Sequence, residues 1–297
     1  MTTFRAGDAS YELAETWGKV PDGYVFHQVS GVAVDRSDNV YLFNLMTHDL
    51  MVFDRAGQKL RLWGHKYSNA HGVHVGADGS VYVADRDVHV VHKYTPDGKL
   101  LFTLGTIGVP SDTGYSLDIG RKTAWKDPVP RAAGPFNVPS GIAVAPNGDI
   151  YVSDGYANCR IHRFASDGRL LASWGAPGKA KPGEFHLIHG LCLDGKGRLL
   201  VCDRMNNRLQ LFDLTGKHLE TWTGFAQPST VAVSRDGIVC VAEHMGRLSL
   251  LDMAGRVLGR WDGPQFVHPH GVAIDSRGDI YFGQVQVNNR VTKLARR

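Results

Sequence analysis

Three histidines open equivalent segments of a repeated block, and three imidazoles brought to one point bind a metal ion. Six blocks begin at Ser30, His71, Ser140, His189, Ser229 and His270, each followed by Gly or Thr and then an apolar alternation. Ser and His alternate strictly. If the blocks are the blades of a closed propeller, every second blade offers one imidazole at the same height. Three neutral imidazoles with an open fourth position describe a catalytic zinc site rather than a closed structural one. Iron, cobalt, nickel and copper suit the same donors. No Cys shares the register. Zinc, or another divalent transition metal, is therefore the expected cofactor, held by His71, His189 and His270. Calcium is disfavoured, because it prefers carboxylate and amide oxygens. Such an ion polarises a carbonyl or hydroxyl oxygen, or lowers the pKa of a bound water to about 7.

Groups that move protons or orient substrate should come from loops on the same face. Six such loops open with Asn44, Asp85, Asp154, Asp203, Glu243 and Gln284. The next positions are Leu45, Arg86, Gly155, Arg204, His244 and Val285, followed by Met46, Asp87, Tyr156, Met205, Met245 and Gln286. The recurring acid reads as a strand end that binds loop backbone. Tyr156, Arg86, Arg204 and His244 are different, because the repeat does not demand them. They are the candidate catalytic residues. A Tyr near a cation can act as acid or base, and an Arg can orient a carboxylate by a bidentate pair.

The elements that carry these residues follow from the block itself. A "GVAV"-type run leads to an Asp/Asn-Gly turn such as Asp78-Gly79 or Asn147-Gly148, then to a "VYV" run. A polar loop, a "VHKY" or "RIHRF" run, a second turn at Asp97-Gly98 or Asp167-Gly168 and a closing amphipathic run complete it. Such turns need a positive φ, which makes this hairpin chemistry. Four antiparallel strands repeated six times predict an all-β fold, a six-bladed β-propeller. One domain over residues 1–297 is expected, with blades at about 30–64, 71–105, 140–175, 189–223, 229–262 and 270–297. The sixth block lacks its fourth strand. The stretch Tyr11 to Gly18 matches "LLASWG" and "HLETWT", so residues 9–18 should complete the last blade and cover its edge. Residues 106–138 form an insertion with Tyr115, Trp125 and Phe136, a lid candidate above usual loop length.

Composition narrows the classes. The 297 residues suffice for a large core. The net charge of +4 comes without a Lys/Arg cluster, so nucleic acid is not an expected partner. No apolar run reaches the roughly 18 residues of a membrane helix, and no membrane partner is expected. The opening residues lack a signal-peptide pattern, so the expected location is cytoplasmic. Cys159, Cys192, Cys202 and Cys240 show no CxxC spacing and read as reduced thiols. Oligomeric state is left open.

The block "PSGIAVAPNGDIYVSDGYANCRIHRF" resembles the NHL repeat, with tails at Asn158-Cys159-Arg160-Ile161, Asn207-Arg208 and Asn289-Arg290. From about residue 29 to 293 the chain also looks like peptidyl-α-hydroxyglycine α-amidating lyase, a propeller of this type. "NAHGVHV", "LIHGLCL" and "HPHGVAI" match the segments that bind one zinc in that family, and Ser153 to Asn158 match its catalytic-Tyr segment at Tyr156. Two positions depart from the pattern. Leu45 stands where the family has a catalytic Arg, leaving Arg86 or Arg204 to supply a guanidinium. Gly271 stands where the family has an Asp of a calcium site. The resemblance implies a metal-dependent lyase or hydrolase acting on a small hydroxyl- or carbonyl-containing substrate, by C–N cleavage in the family pattern. A non-catalytic NHL propeller that binds a protein or RNA is the alternative, and a calcium-dependent lactonase ranks third.

Overall fold

Apolar alternation becomes strand throughout, and no α-helix occurs among the described residues. The computed structural model describes residues 3–18, 26–45, 47–63, 67–115, 127–286 and 291–297. The fold is all-β, of the six-bladed β-propeller class; blades one to five are antiparallel four-stranded sheets whose strands pair in chain order, and Ala176–Pro177 and Glu184–Phe185 form a small parallel pair outside them. Blade one comprises Val29–Val34, Val40–Asn44, Asp49–Phe53 and Lys59–Trp63. The inner strands of blades two to six are Ala70–Val75, Pro139–Val144, Ile188–Leu193, Pro228–Val233 and Pro269–Ile274. No helix is long and apolar enough to cross a membrane. All four cysteines are free thiols.

The chain divides into two compact units, Met1–Tyr67 with Ser229–Arg297, and Ser68–Pro228. They are called the terminal and the central unit, after their place in the sequence.

In the terminal unit the N-terminal segment completes blade six. Tyr11, Glu12 and Leu13 pair with Arg296, Ala295 and Leu294. The strand is Ala9–Leu13, and Thr3–Ala6 adds a fifth strand outside it. The Trp17 motif that signalled the strand lies beyond its end. Trp17 packs on Phe53 and Tyr281, and its Nε1 donates to the Arg55 carbonyl at 3.0 Å. The resemblance to "LLASWG" thus located the segment but shifted the paired residues. Phe4 and Tyr11 are buried against Trp261, so the added strands contribute core as well as edge protection.

Arg55 ties blade one to blade six within this unit. Its guanidinium pairs with Asp275 at 2.9 Å and with Asp279. Lys293 Nζ reaches Asp279 at 2.9 Å, and the Tyr281 hydroxyl donates to Asp275 at 2.9 Å. The two carboxylates are almost wholly buried, whereas the Arg55 side chain is 30% exposed. Removing a partner from a buried pair costs more than the pair itself contributes. Solvent screening at Arg55 and the remaining Lys293 reduce that cost. Arg55→Met should therefore destabilise the protein by about 2 kcal/mol in urea at neutral pH. A change below about 0.5 kcal/mol would show that Lys293 and solvent suffice.

In the central unit the inner strands of blades two, three and four lie side by side. Gly72 follows His71 and permits this approach, because a Cβ there would sit 2.4 Å from the Ser140 carbonyl oxygen. Part of the insertion is anchored here. Asn137 donates its backbone N–H to Asp154, and its Nδ2 to Thr113 Oγ1 at 2.9 Å. Residues 116–126, including Trp125, lie outside the described residues, as do Met46 and Asn289-Arg290.

Candidate metal centre and active site

His71 and His189 open the inner strands of blades two and four, with Ser140 at the same position in the blade between them. Both histidines are buried, at 4% and 1% exposure. His71 Nδ1 lies 2.8 Å from the Ser140 carbonyl oxygen. A carbonyl only accepts, so this nitrogen carries the proton and Nε2 presents its lone pair. The rings stand edge to face at 4.7 Å, and their ligand nitrogens lie within 4.8 Å of one another. The Tyr156 hydroxyl is 3.1 Å from His71 Nε2 and 2.9 Å from His189 Nε2. Burial pushes the His71 pKa down to about 3, aided by the charges of Arg86 and Arg204 and opposed by the Ser140 carbonyl. His71 is thus neutral at physiological pH, the form that ligates a metal.

Three loops meet this pair through equivalent backbone hydrogen bonds. Arg86 N–H donates to the Asn69 carbonyl at 3.1 Å, and Arg204 N–H to Leu187 at 3.2 Å. In blade three the matching bond comes from Tyr156, to Val138 at 3.4 Å. Tyr156 therefore occupies the register of Arg86 and Arg204, one place earlier than sequence spacing indicated. Gly155 is the extra residue. A Cβ on it would fall 1.7 Å from the Ile188 carbonyl oxygen, so only glycine lets the loop lie against the strand that carries His189. Val138 and Leu187 hold φ near +65° and +61°, at a cost of roughly 1–2 kcal/mol each. Their carbonyls fix the backbone of Tyr156 and Arg204.

Arg86 lies over the Tyr156 ring, with Cζ 5.1 Å from the ring centroid. Its Nε donates to Asp87 at 2.9 Å, and Asn69 Nδ2 donates to the other oxygen of Asp87 at 2.8 Å. Arg204 is 1% exposed and hydrogen-bonds Tyr156. Burial pushes its pKa down to about 10, against the opposing effect of the Tyr156 hydroxyl. The Arg204 guanidinium thus meets the hydroxyl of Tyr156, and that of Arg86 meets its ring.

His270 and His244 belong to the terminal unit. His270 is 4% exposed, and its Nδ1 lies 2.7 Å from the Ser30 carbonyl oxygen. This repeats the pairing of His71 with Ser140. His244 stacks on His268 at 4.7 Å between centroids, and His268 Nδ1 donates to the His244 carbonyl at 2.8 Å. A Cβ on Gly271 would lie 2.8 Å from both the Ser30 oxygen and the Val32 nitrogen. A carboxylate side chain has no room there in this arrangement.

The recurring acids do bind loop backbone. Asp85 accepts from Ser68 and Asn69, Asp154 from Asn137, and Asp203 from His186. Asn158 and Arg208 tie loops in the same way, to Ala133 and Glu184. Sequence reasoning missed the serine carbonyls that orient His71 and His270. The strict Ser–His alternation was the signal available for them.

The NHL repeat family matches residues 136–164, which hold the first three strands of blade three and Tyr156. NHL repeat-containing protein 3 of Homo sapiens is 30% identical over 267 residues, covering 84% of this chain and 72% of that protein. The chain belongs to the NHL repeat-containing protein family. Another relative is peptidyl-alpha-hydroxyglycine alpha-amidating lyase 1 of Drosophila melanogaster, 28% identical over 75% of this chain and 44% of that protein. The chain thus spans under half the length of that lyase. Among solved structures, a streptogramin B lyase aligns with a TM-score of 0.65 at 15% identity, covering 97% of this chain and 98% of that one. A gluconolactonase from Xanthomonas campestris aligns with a TM-score of 0.68 at 14% identity, covering 99% and 91%. These two share the fold of this NHL-family chain.

Proposed function

We propose that the chain is a metal-dependent lyase or hydrolase acting on a small substrate with a hydroxyl or carbonyl oxygen. The observation that carries this reading is the Tyr156 hydroxyl placed within hydrogen-bonding distance of Nε2 of both His71 and His189. The donor set suits a divalent transition metal, zinc first. His71 has its Nδ1 proton engaged by a backbone carbonyl, the usual outer contact of a metal-bound imidazole, and His270 has the same contact. His71, His189 and His270 are the proposed ligands. When bound, the metal would supply Lewis-acid polarisation of a substrate oxygen.

The chain's own groups then divide the remaining tasks. Tyr156 holds or moves a proton at its hydroxyl oxygen. Arg204 hydrogen-bonds that hydroxyl from a buried position and sets a guanidinium beside it. Arg86 is prepared for an oxyanion. Asp87 and Asn69 fix its Nε edge, Tyr156 supports one face, and among the described residues neither Nη bears a protein hydrogen bond. Its place supports the replacement of the guanidinium that Leu45 lacks. His244 has no assigned task in this scheme.

The names of the relatives, amidating lyase, streptogramin lyase and gluconolactonase, suggest the substrates to screen. Metal-loaded protein should turn over at least one hydroxyglycine-like, amide, ester or lactone compound, and chelated protein none. With that substrate, Arg86→Met should raise KM by about tenfold or more with a smaller effect on kcat, as expected for lost ground-state binding. Equal turnover by loaded and chelated protein would refute metal dependence.

A further inference from the structure

Ser140 makes contacts that the proposed reaction does not require. It is 1% exposed and stands between the two imidazoles of the central unit. Its carbonyl oxygen takes the Nδ1 proton of His71 at 2.8 Å. Its hydroxyl lies 3.0 Å from the carbonyl of Ile188, the residue before His189, and 2.9 Å from the Ser153 hydroxyl. The Ser153 carbonyl is 3.1 Å from the same oxygen. A hydroxyl has one proton to give. With the Ser153 hydroxyl donating to Ser140 Oγ, the Ser140 proton has two carbonyls in reach, and that of Ile188 is the nearer.

We infer that Ser140 is a positioning residue that sets the spacing of two metal ligands, through its carbonyl on His71 and its hydroxyl on the peptide that carries His189. The inference rests on the metal reading above. Gly155 presses on the same Ile188 carbonyl, so that peptide is held by the Ser140 hydroxyl and by the Tyr156 loop together. The arrangement gives the Ser–His alternation a physical meaning. A histidine at this position would keep the carbonyl for His71 but lose the short hydroxyl. An alanine would do the same without the bulk. In the terminal unit the first half of the pattern recurs, with the Ser30 carbonyl on His270 Nδ1 at 2.7 Å.

The test is a double-mutant cycle on zinc affinity, read by competition with a chromophoric chelator. Ser140→Ala retains the backbone carbonyl and removes only the tether to Ile188. It should bind zinc about tenfold more weakly than the native chain, the low end for loss of an outer-shell contact. In a His189→Ala background the same substitution should change zinc affinity by less than twofold, because the hydroxyl acts through His189. Cobalt-loaded Ser140→Ala should also show an altered visible spectrum. Native affinity in Ser140→Ala would overturn the inference. So would an equal tenfold loss in both backgrounds, which marks a general packing effect. A native chain that binds no zinc or cobalt would instead overturn the metal reading, and the positioning role with it.

Discussion

Gly155→Ala should destabilise the protein by about 3 kcal/mol and remove most turnover. The added methyl would lie 1.7 Å from the Ile188 carbonyl oxygen and 2.5 Å from its carbon. Those atoms are backbone in a paired strand, so no side-chain rotation can relieve the overlap. Either the Tyr156 loop lifts away or the first residues of Ile188–Leu193 shift, and both movements part the Tyr156 hydroxyl from His189. Gly134→Ala is the matched control, because a Cβ there meets nothing within 4 Å. Urea unfolding should leave that control within about 0.5 kcal/mol of the native chain. If Gly155→Ala unfolds within about 1 kcal/mol of native, the tight packing of this loop is wrong.

Tyr156→Phe should reduce kcat by roughly 100- to 10,000-fold while metal content stays native. The substitution keeps the ring beneath Arg86 and removes the oxygen that lies 3.1 Å and 2.9 Å from the two imidazole nitrogens. Loss of those hydrogen bonds should cost about 1 kcal/mol of stability, so a folded protein is available for assay. The contrast between lost turnover and retained metal separates a proton-transfer role from a structural one. Native kcat in this variant, measured on the substrate found by screening, would remove Tyr156 from the chemistry.

Periodicity made the architecture readable. Apolar alternation and Asp-Gly turns are local signals, and six copies of them leave little choice of fold. The same locality leaves finer points of pairing and register unmarked. The last blade was traced through a Trp-Gly motif, yet pairing with Leu294 to Arg296 uses Tyr11 to Leu13, and Trp17 is engaged elsewhere. The outer strand Thr3–Ala6 had no counterpart in the other blocks to reveal it. At the site, residue types marked His71, His189, Tyr156, Arg86 and Arg204, all of which meet in the central unit. The register of Tyr156 was displaced by one because Gly155 is accommodated through a contact with a strand 33 residues later, between Gly155 and Ile188. The orienting carbonyls of Ser140 and Ser30 were invisible for a related reason. Backbone acceptors exist at every residue, and only tertiary packing selects which ones a histidine meets.

Metal content of the purified chain tests the central claim most directly. After stripping and reloading, elemental analysis should give one divalent transition metal per chain. His71→Ala, His189→Ala and His270→Ala should each bind it too weakly to carry it through gel filtration, while remaining folded. A native chain without metal, or three variants that all retain it, would contradict the account.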